Sequence, residues 1–141
     1  MKMKNTEKHL RMIIKVIGDA HDHIQMGTPN RVWSTYFRYA LNELEKGSVF
    51  LSRSIALDPK QKSIHEHTVP FKIVRDKLLD LNDVTIESVS ETLDKFHIVS
   101  RISIEEDQKL KNANLNTKMP EGWDGINPFA RYEAVGILIN E

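Results

Sequence analysis

The segment from Ile64 to Pro70 contains the side chains of this sequence that are best suited to chemistry. His65, Glu66 and His67 bring three proton carriers or metal ligands together in a short stretch with apolar neighbours. Side chains alternate along a strand, so His65 and His67 would lie on one face and Glu66 on the other. Two neutral imidazoles on one face can share zinc, nickel or iron, but a catalytic metal site normally needs a third protein ligand.

The two histidines also have a purely structural interpretation. In that interpretation one imidazole is exposed to solvent and the other is a hydrogen-bonded residue at the boundary of the core. The chain has six histidines, so a pair of this spacing arises easily without a function. Both interpretations stay open from the sequence.

A second group of candidate residues lies downstream of the histidine segment. His97 begins a β-branched, alternating run that predicts a second strand up to Ile102. Ser103 and Glu106 have the spacing of a capping box, which predicts that a helix begins there. The carboxylate of Glu106 is a hard oxygen ligand of the kind that magnesium or manganese prefers.

This order of elements resembles the His-Me finger (HNH-type) nucleases, over roughly residues 63–111. The resemblance implies that His67, at the end of the first strand, is the general base that activates water. His97 stands where the family has an asparagine, and Glu106 where it has a histidine or asparagine that binds the metal. The resemblance also implies a divalent metal. Together with the histidine pair, it makes Mg, Mn and Zn the candidate ions and His65, His67 and Glu106 the candidate ligands. The sequence departs from the family pattern at two of its three positions, and its insertion between the strands is longer.

A tryptophan in a loop is the second notable feature. Trp123 lies in a segment bounded by proline and glycine, and such a residue packs into the core more often than it binds a partner. If it is exposed, Trp123 beside Arg131 and Tyr132 would form a protein-binding anchor or a platform for base stacking.

Composition limits the class of protein. The chain has 141 residues, 40% of them hydrophobic, which predicts one domain. Lysine plus arginine equals aspartate plus glutamate at 20 each, which disfavours tight nonspecific DNA binding. The absence of cysteine excludes disulfides, thiolate catalysis and zinc-thiolate sites. Charged residues interrupt the N-terminal apolar positions, so we expect no signal peptide, no membrane association and a cytoplasmic location.

Hydrophobic periodicity and caps predict the elements that would position these residues. A first helix should end at Gly18, and a second should run from Val32 to Gly47. Residues 49–57 fit either a strand or a short helix. Pro70 should begin a helix directly after the histidine strand, and Thr85 should cap the next one.

Together these elements predict an α+β fold, a mostly helical single domain with a small two-stranded sheet. Its parts would be an N-terminal helical pair in 1–47, a strand–helix–helix–strand–helix core in 63–111, and a loop with a C-terminal helix in 112–141. The two strands would be those of His67 and His97.

The function that the sequence favours is that of a small non-catalytic interaction protein. Its partner would be a protein or a nucleoprotein complex, with nucleic acid a further option, and its role would be that of a phage- or defence-related regulator of nucleic-acid-processing machinery. The alternative is a metal-dependent HNH-like nuclease with His67 as base. A second alternative is a metal-binding protein that uses His65 and His67.

Overall fold

A computed structural model of the protein describes residues 6–44 and 49–140. Within these residues there are seven helices and four strands. In chain order they are α1 (Glu7–Gln25), α2 (Asn30–Asn42), β1 (Val49–Ser52), α3 (Arg53–Leu57), β2 (Ser63–His67), α4 (Phe71–Leu79), α5 (Ile86–Phe96), β3 (Val99–Ser103), α6 (Ile104–Asn112), α7 (Ala130–Val135) and β4 (Ile139–Asn140).

The sheet has four strands in the order β2-β3-β1-β4, so the predicted two-stranded sheet is wrong. Strands β2 and β3, which pair antiparallel, correspond to the two predicted strands, but β3 begins at Val99, and His97, predicted to begin it, is the C-cap of α5. Strand β1 pairs parallel with β3, and β4 pairs antiparallel with β1. The α+β class and the mostly helical content agree with the prediction. Residues 49–57, which the sequence left open between a strand and a short helix, form both, β1 followed at once by α3. Strand β4 was not predicted, because it is two residues long.

The prediction that the first helix ends at Gly18 is wrong. Helix α1 continues for seven more residues to Gln25. Gly18 lies on the exposed face, and the core-facing stripe continues beyond it through the buried Ala20. A glycine inside a helix lowers the stability of the helix by only about 1 kcal/mol. Burial of the core-facing stripe of α1 can offset this loss. The chain turns instead at Gly27, whose φ of 75° is left-handed. The predicted end of the second helix, Gly47, lies outside the described residues.

Several predicted helix starts are correct. Thr85 caps α5 and exchanges hydrogen bonds with Ser88, and Ser103 caps α6 in a capping box with Glu106. Pro70, predicted as the first residue of a helix, is the N-cap of α4, one residue before it, so that three residues separate the end of β2 from Phe71. A direct passage from strand to helix places the first residues of α4 beside His67.

Two apolar clusters form the core. The larger one joins α1, α2, α4 and α5 and includes Val69, while the smaller one underlies the sheet and includes Ile102 and Tyr132. Ile64 packs against the smaller cluster, so the segment from Ile64 to Val69 leads from one cluster to the other. Glu66 and His67 therefore lie where the helical part meets the sheet. Among the residues described, no helix has the length and apolar character needed to cross a membrane.

Candidate functional site

Strand β2 orients the histidine segment as alternation predicts. His65 and His67 are exposed, whereas Ile64 and Glu66 are partly buried. Pairing with β3 sets His67 opposite Val99 and Glu66 opposite Ser100. The two imidazoles thus lie on the solvent side of the strand, and the carboxylate points towards the interior.

The carboxylate of Glu66 is held by two neighbouring residues of α7. Arg131 Nη1 donates to Glu66 Oε2 at 3.2 Å, and Arg131 Nη2 donates to Glu66 Oε1 at 3.0 Å. Tyr132 Oη donates to Glu66 Oε1 at 2.6 Å. Both carboxylate oxygens are therefore already occupied by protein donors.

The guanidinium of Arg131 also donates to three backbone carbonyls in two separate segments of the chain. Nη1 donates to the carbonyl of Leu115 at 2.8 Å, and Nη2 donates to those of His67 at 2.7 Å and Thr68 at 2.9 Å. The Arg131 side chain is fully buried. A buried charge is stable only when it is paired and hydrogen-bonded, and these contacts supply both conditions.

Tyr132 stays protonated in this environment. Burial disfavours the phenolate and the charge of Glu66 repels it, so the pKa of Tyr132 is raised above its ordinary value. The hydroxyl is therefore a permanent donor to Glu66 at any ordinary pH. The Glu66, Arg131 and Tyr132 group is a neutralised, hydrogen-bonded cluster.

A cleft of about 310 Å³ opens beside this cluster, and we call it the α2–α4 cleft. Its walls come from α2, the end of β2, the start of α4 and a loop, with the side chains of Arg38, Asn42, Glu66, His67, Pro70, Phe71, Lys72, Asn116 and Thr117. A second depression of about 450 Å³ shares Arg38, Phe71 and Lys72 with the cleft and is lined by further residues of α2. The two depressions adjoin at these shared residues, and we call them together the groove.

The charge of the groove is positive. Arg75, in the second depression, is paired with Asp76 at 3.0 Å, and the carboxylate of Glu66 is paired with Arg131. Arg38 and Lys72 take part in none of the salt bridges formed within residues 6–44 and 49–140. Arg38 stacks on Phe71 with its guanidinium carbon 4.6 Å from the ring centroid. As far as residues 6–44 and 49–140 are concerned, the groove therefore presents two cations without a salt-bridge partner around an aromatic ring.

The structure brings His67 and His97 together but leaves Glu106 apart. The two imidazoles stack with ring centroids 6.2 Å apart, and His97 is buried. Glu106 follows Ser103, which pairs with Ser63 at the opposite end of β2 from His67. Four residues of strand correspond to about 13 Å.

Glu106 has structural partners of its own. Its Oε1 accepts hydrogen bonds from Ser52 Oγ at 2.7 Å and from the backbone N–H of Ser103 at 2.8 Å. Glu106 thus closes the capping box of α6 and ties that helix to the end of β1. In the part of the chain that the structure describes, no three His, Asp or Glu side chains are grouped so that they could hold a metal ion.

The residues predicted to bind a partner lie largely in the interior. Arg131 and Tyr132 are fully buried. Trp123 packs against the larger core cluster, edge-on to Phe96 with ring centroids 6.5 Å apart. Its Nε1 donates to the carbonyl of Asn127 at 2.8 Å. Of the two interpretations of Trp123, these contacts correspond to the one in which a loop tryptophan packs into the core.

Sequence reasoning did not find the cations of the groove. Lys72 had a usable signal, because Pro70 predicted that a helix begins directly after the histidine strand. Arg38 had no such signal, since its place beside Phe71 depends on how α2 is placed relative to α4.

No protein-family model matches the chain, and neither curated proteins nor solved structures include a significant match.

Proposed function

We propose that the protein is a non-catalytic binding protein whose α2–α4 cleft contacts a protein or nucleoprotein partner. One observation carries the proposal. Glu66, which supplies the carboxylate among the described residues that line the cleft, has both oxygens hydrogen-bonded to Arg131 or Tyr132, while Arg38 and Lys72 form no salt bridge with any described residue. The groove can therefore attract an anionic group, and within the described residues that line the cleft no carboxylate oxygen lacks a hydrogen-bond donor.

The electrostatics of the whole chain support recognition by a local patch. Formal net charge is zero, so attraction depends on where the cations lie and not on their total number. We propose that the protein acts in the cytoplasm. The chain has no cysteine, so its fold does not depend on an oxidising compartment. A regulator of nucleic-acid-processing machinery fits such a local, charge-selective surface.

Charge reversal in the groove tests the proposal. The double variant Arg38→Glu, Lys72→Glu should lose the partner that the wild-type protein retains in a pulldown from a lysate of its source. Arg53→Glu, Lys60→Glu is the matched control, because both cations are exposed and lie outside the groove. Recovery of the same proteins by both double variants would count against the proposal.

A metal-dependent nuclease with His67 as general base is the second candidate. It is favoured by the position of His67, which is exposed in the same cleft as Arg38 and Lys72, two cations suited to phosphate. Strands β2 and β3 pair antiparallel and are followed by the capped helix α6. This is the order of elements on which the resemblance to His-Me finger nucleases rests. Cleavage of plasmid DNA with Mg²⁺, Mn²⁺ or Zn²⁺, abolished by His67→Ala, would replace the binding proposal with this one.

A further inference from the structure

We propose that the groove receives an acidic, apolar-flanked segment of a partner protein. The inference rests on the proposed binding function and names the chemistry of the partner. A carboxylate of that segment would be bound by Arg38 and Lys72, and its neighbouring apolar side chains would cover the exposed face of α2.

The first step is the state of Arg38. Its guanidinium carbon lies 4.6 Å from the centroid of the Phe71 ring, a cation–π contact that restrains the side chain. A planar guanidinium held in this way binds a carboxylate through two parallel hydrogen bonds and loses little rotamer freedom on binding. Lys72, the next residue after Phe71, adds a second positive charge to the same cleft.

The second step is the exposed apolar stripe of the helix that carries Arg38. Val32, Tyr36 and Tyr39 of α2 are 53%, 48% and 68% exposed. Their spacing places them on one stripe of the helix, about 100–160° around its axis from Arg38. A segment that binds Arg38 would therefore have to cross α2 to cover this stripe. Tyrosine and arginine are enriched at protein interfaces, where aromatic anchors and a charged contact act together.

The third step separates a protein partner from a nucleic acid. A strand of nucleic acid is held by many phosphate contacts, and its affinity grows with the number of cations that it neutralises. This groove offers two uncompensated cations on a chain with zero formal net charge. A carboxylate flanked by apolar side chains matches both the small positive charge and the exposed tyrosines, so the observations favour a peptide.

A random dodecapeptide library displayed on phage is the probe for this surface. We expect peptides selected on the wild-type protein to be enriched in Asp or Glu next to apolar residues. The same peptides, made with a fluorescent label, should bind Arg38→Ala and Lys72→Ala each at least about fivefold more weakly, as removal of an interface anchor does. Arg53→Ala and Lys60→Ala should leave the affinity unchanged, and replacing Asp and Glu of the peptide by Asn and Gln should weaken it.

Four outcomes would overturn the inference. The selection could yield no peptide, or it could yield peptides without an acidic bias. The selected peptides could bind the Arg38→Ala variant as tightly as wild type, or a twelve-nucleotide oligothymidylate could bind more tightly than any of them. If the pulldown partner still depends on Arg38 and Lys72, such an outcome removes the acidic segment alone and leaves the binding function standing. Unfolding in urea should show that all variants fold, so that lost binding reports the groove.

Discussion

Arg131 and Glu66 form a two-point ion pair between residues 65 positions apart in sequence, and the guanidinium that makes it is fully buried. The pair connects α7 to the end of β2, directly behind His67 in the α2–α4 cleft. The wall of the groove therefore depends on a residue that never reaches the surface. Its role is to hold a carboxylate and three backbone carbonyls in place.

Replacing Arg131 should be strongly destabilising. Arg131→Met leaves the Glu66 carboxylate with one donor and three carbonyls without theirs, and breaking a buried pair costs about 3–5 kcal/mol. Urea unfolding followed by circular dichroism measures the loss. The double variant Glu66→Leu, Arg131→Met should recover much of it, because no unpaired charge remains buried. A loss below about 1 kcal/mol for the single variant would contradict the role of the pair.

Tyr132→Phe should lower the free energy of unfolding by about 1.5–3 kcal/mol, the range for a hydrogen bond to a charged group.

Tyr132 should also make the stability of the protein depend on pH in the alkaline range. Because the pKa of Tyr132 is raised in the folded protein, the unfolded chain releases this proton first, at its ordinary pKa of about 10. The contribution is fully present below pH 10 and is lost as pH rises towards the folded pKa.

The pH effect is measured as the free energy of unfolding between pH 9 and pH 11. Wild-type stability should decline above pH 10 by up to about 1.4 kcal/mol per pH unit more than that of Tyr132→Phe. Tyr36 and Tyr39 are exposed and are present in both proteins, so they cancel in the comparison. Parallel declines in the two proteins would show that Tyr132 does not hold its proton more tightly when folded.

Glu106 should behave as a structural residue. Glu106→Ala removes the acceptor for Ser52 Oγ and for the N–H of Ser103, and we expect a loss of about 1–3 kcal/mol. Ser103→Ala, which deletes the cap itself, should cost about 1 kcal/mol. Metal affinity, followed by titration calorimetry with Mn²⁺, should be the same in wild type and Glu106→Ala. A selective loss of Mn²⁺ binding in the variant would instead make Glu106 a ligand.

Gly18→Ala should stabilise the protein by about 0.5–1 kcal/mol. Gly18 lies within α1, and a Cβ at this position would meet no atom within 4 Å. Gly27→Ala is the matched control, since its surroundings are equally open but its φ of 75° is left-handed. Thermal unfolding should therefore shift upwards for Gly18→Ala and downwards for Gly27→Ala, and equal shifts would argue against a continuous α1.

Local signals in the sequence predicted the elements that are governed by local physics. The caps at Thr85 and Ser103, the passage from strand to helix at Pro70 and the alternation of His65 and His67 all depend on neighbours within a few residues. The predicted helix end at Gly18 was wrong because the weak preference of glycine for a helix end was outweighed by burial of a whole face of α1.

Long-range partners were beyond such signals. The predicted site joined His67 to Glu106, but the actual neighbours of the His67 segment in the cleft are Arg38 and Lys72, and Glu66 is occupied by Arg131. Each of these contacts depends on how separate elements pack. Strand β1 pairs only with strands that follow it far along the chain, so nothing near it in sequence reveals its place in the sheet.

The place of β1 between β3 and β4 also sets an order of assembly during synthesis. Helices α1 and α2 are neighbours in sequence and can pack together as soon as both have been made, whereas β1 must wait for two strands from later parts of the chain. Closure of such distant contacts is slow compared with formation of a helical hairpin. On the ribosome, the N-terminal helices would therefore form first, and the sheet, with the Arg131 contact behind the groove, would be completed last.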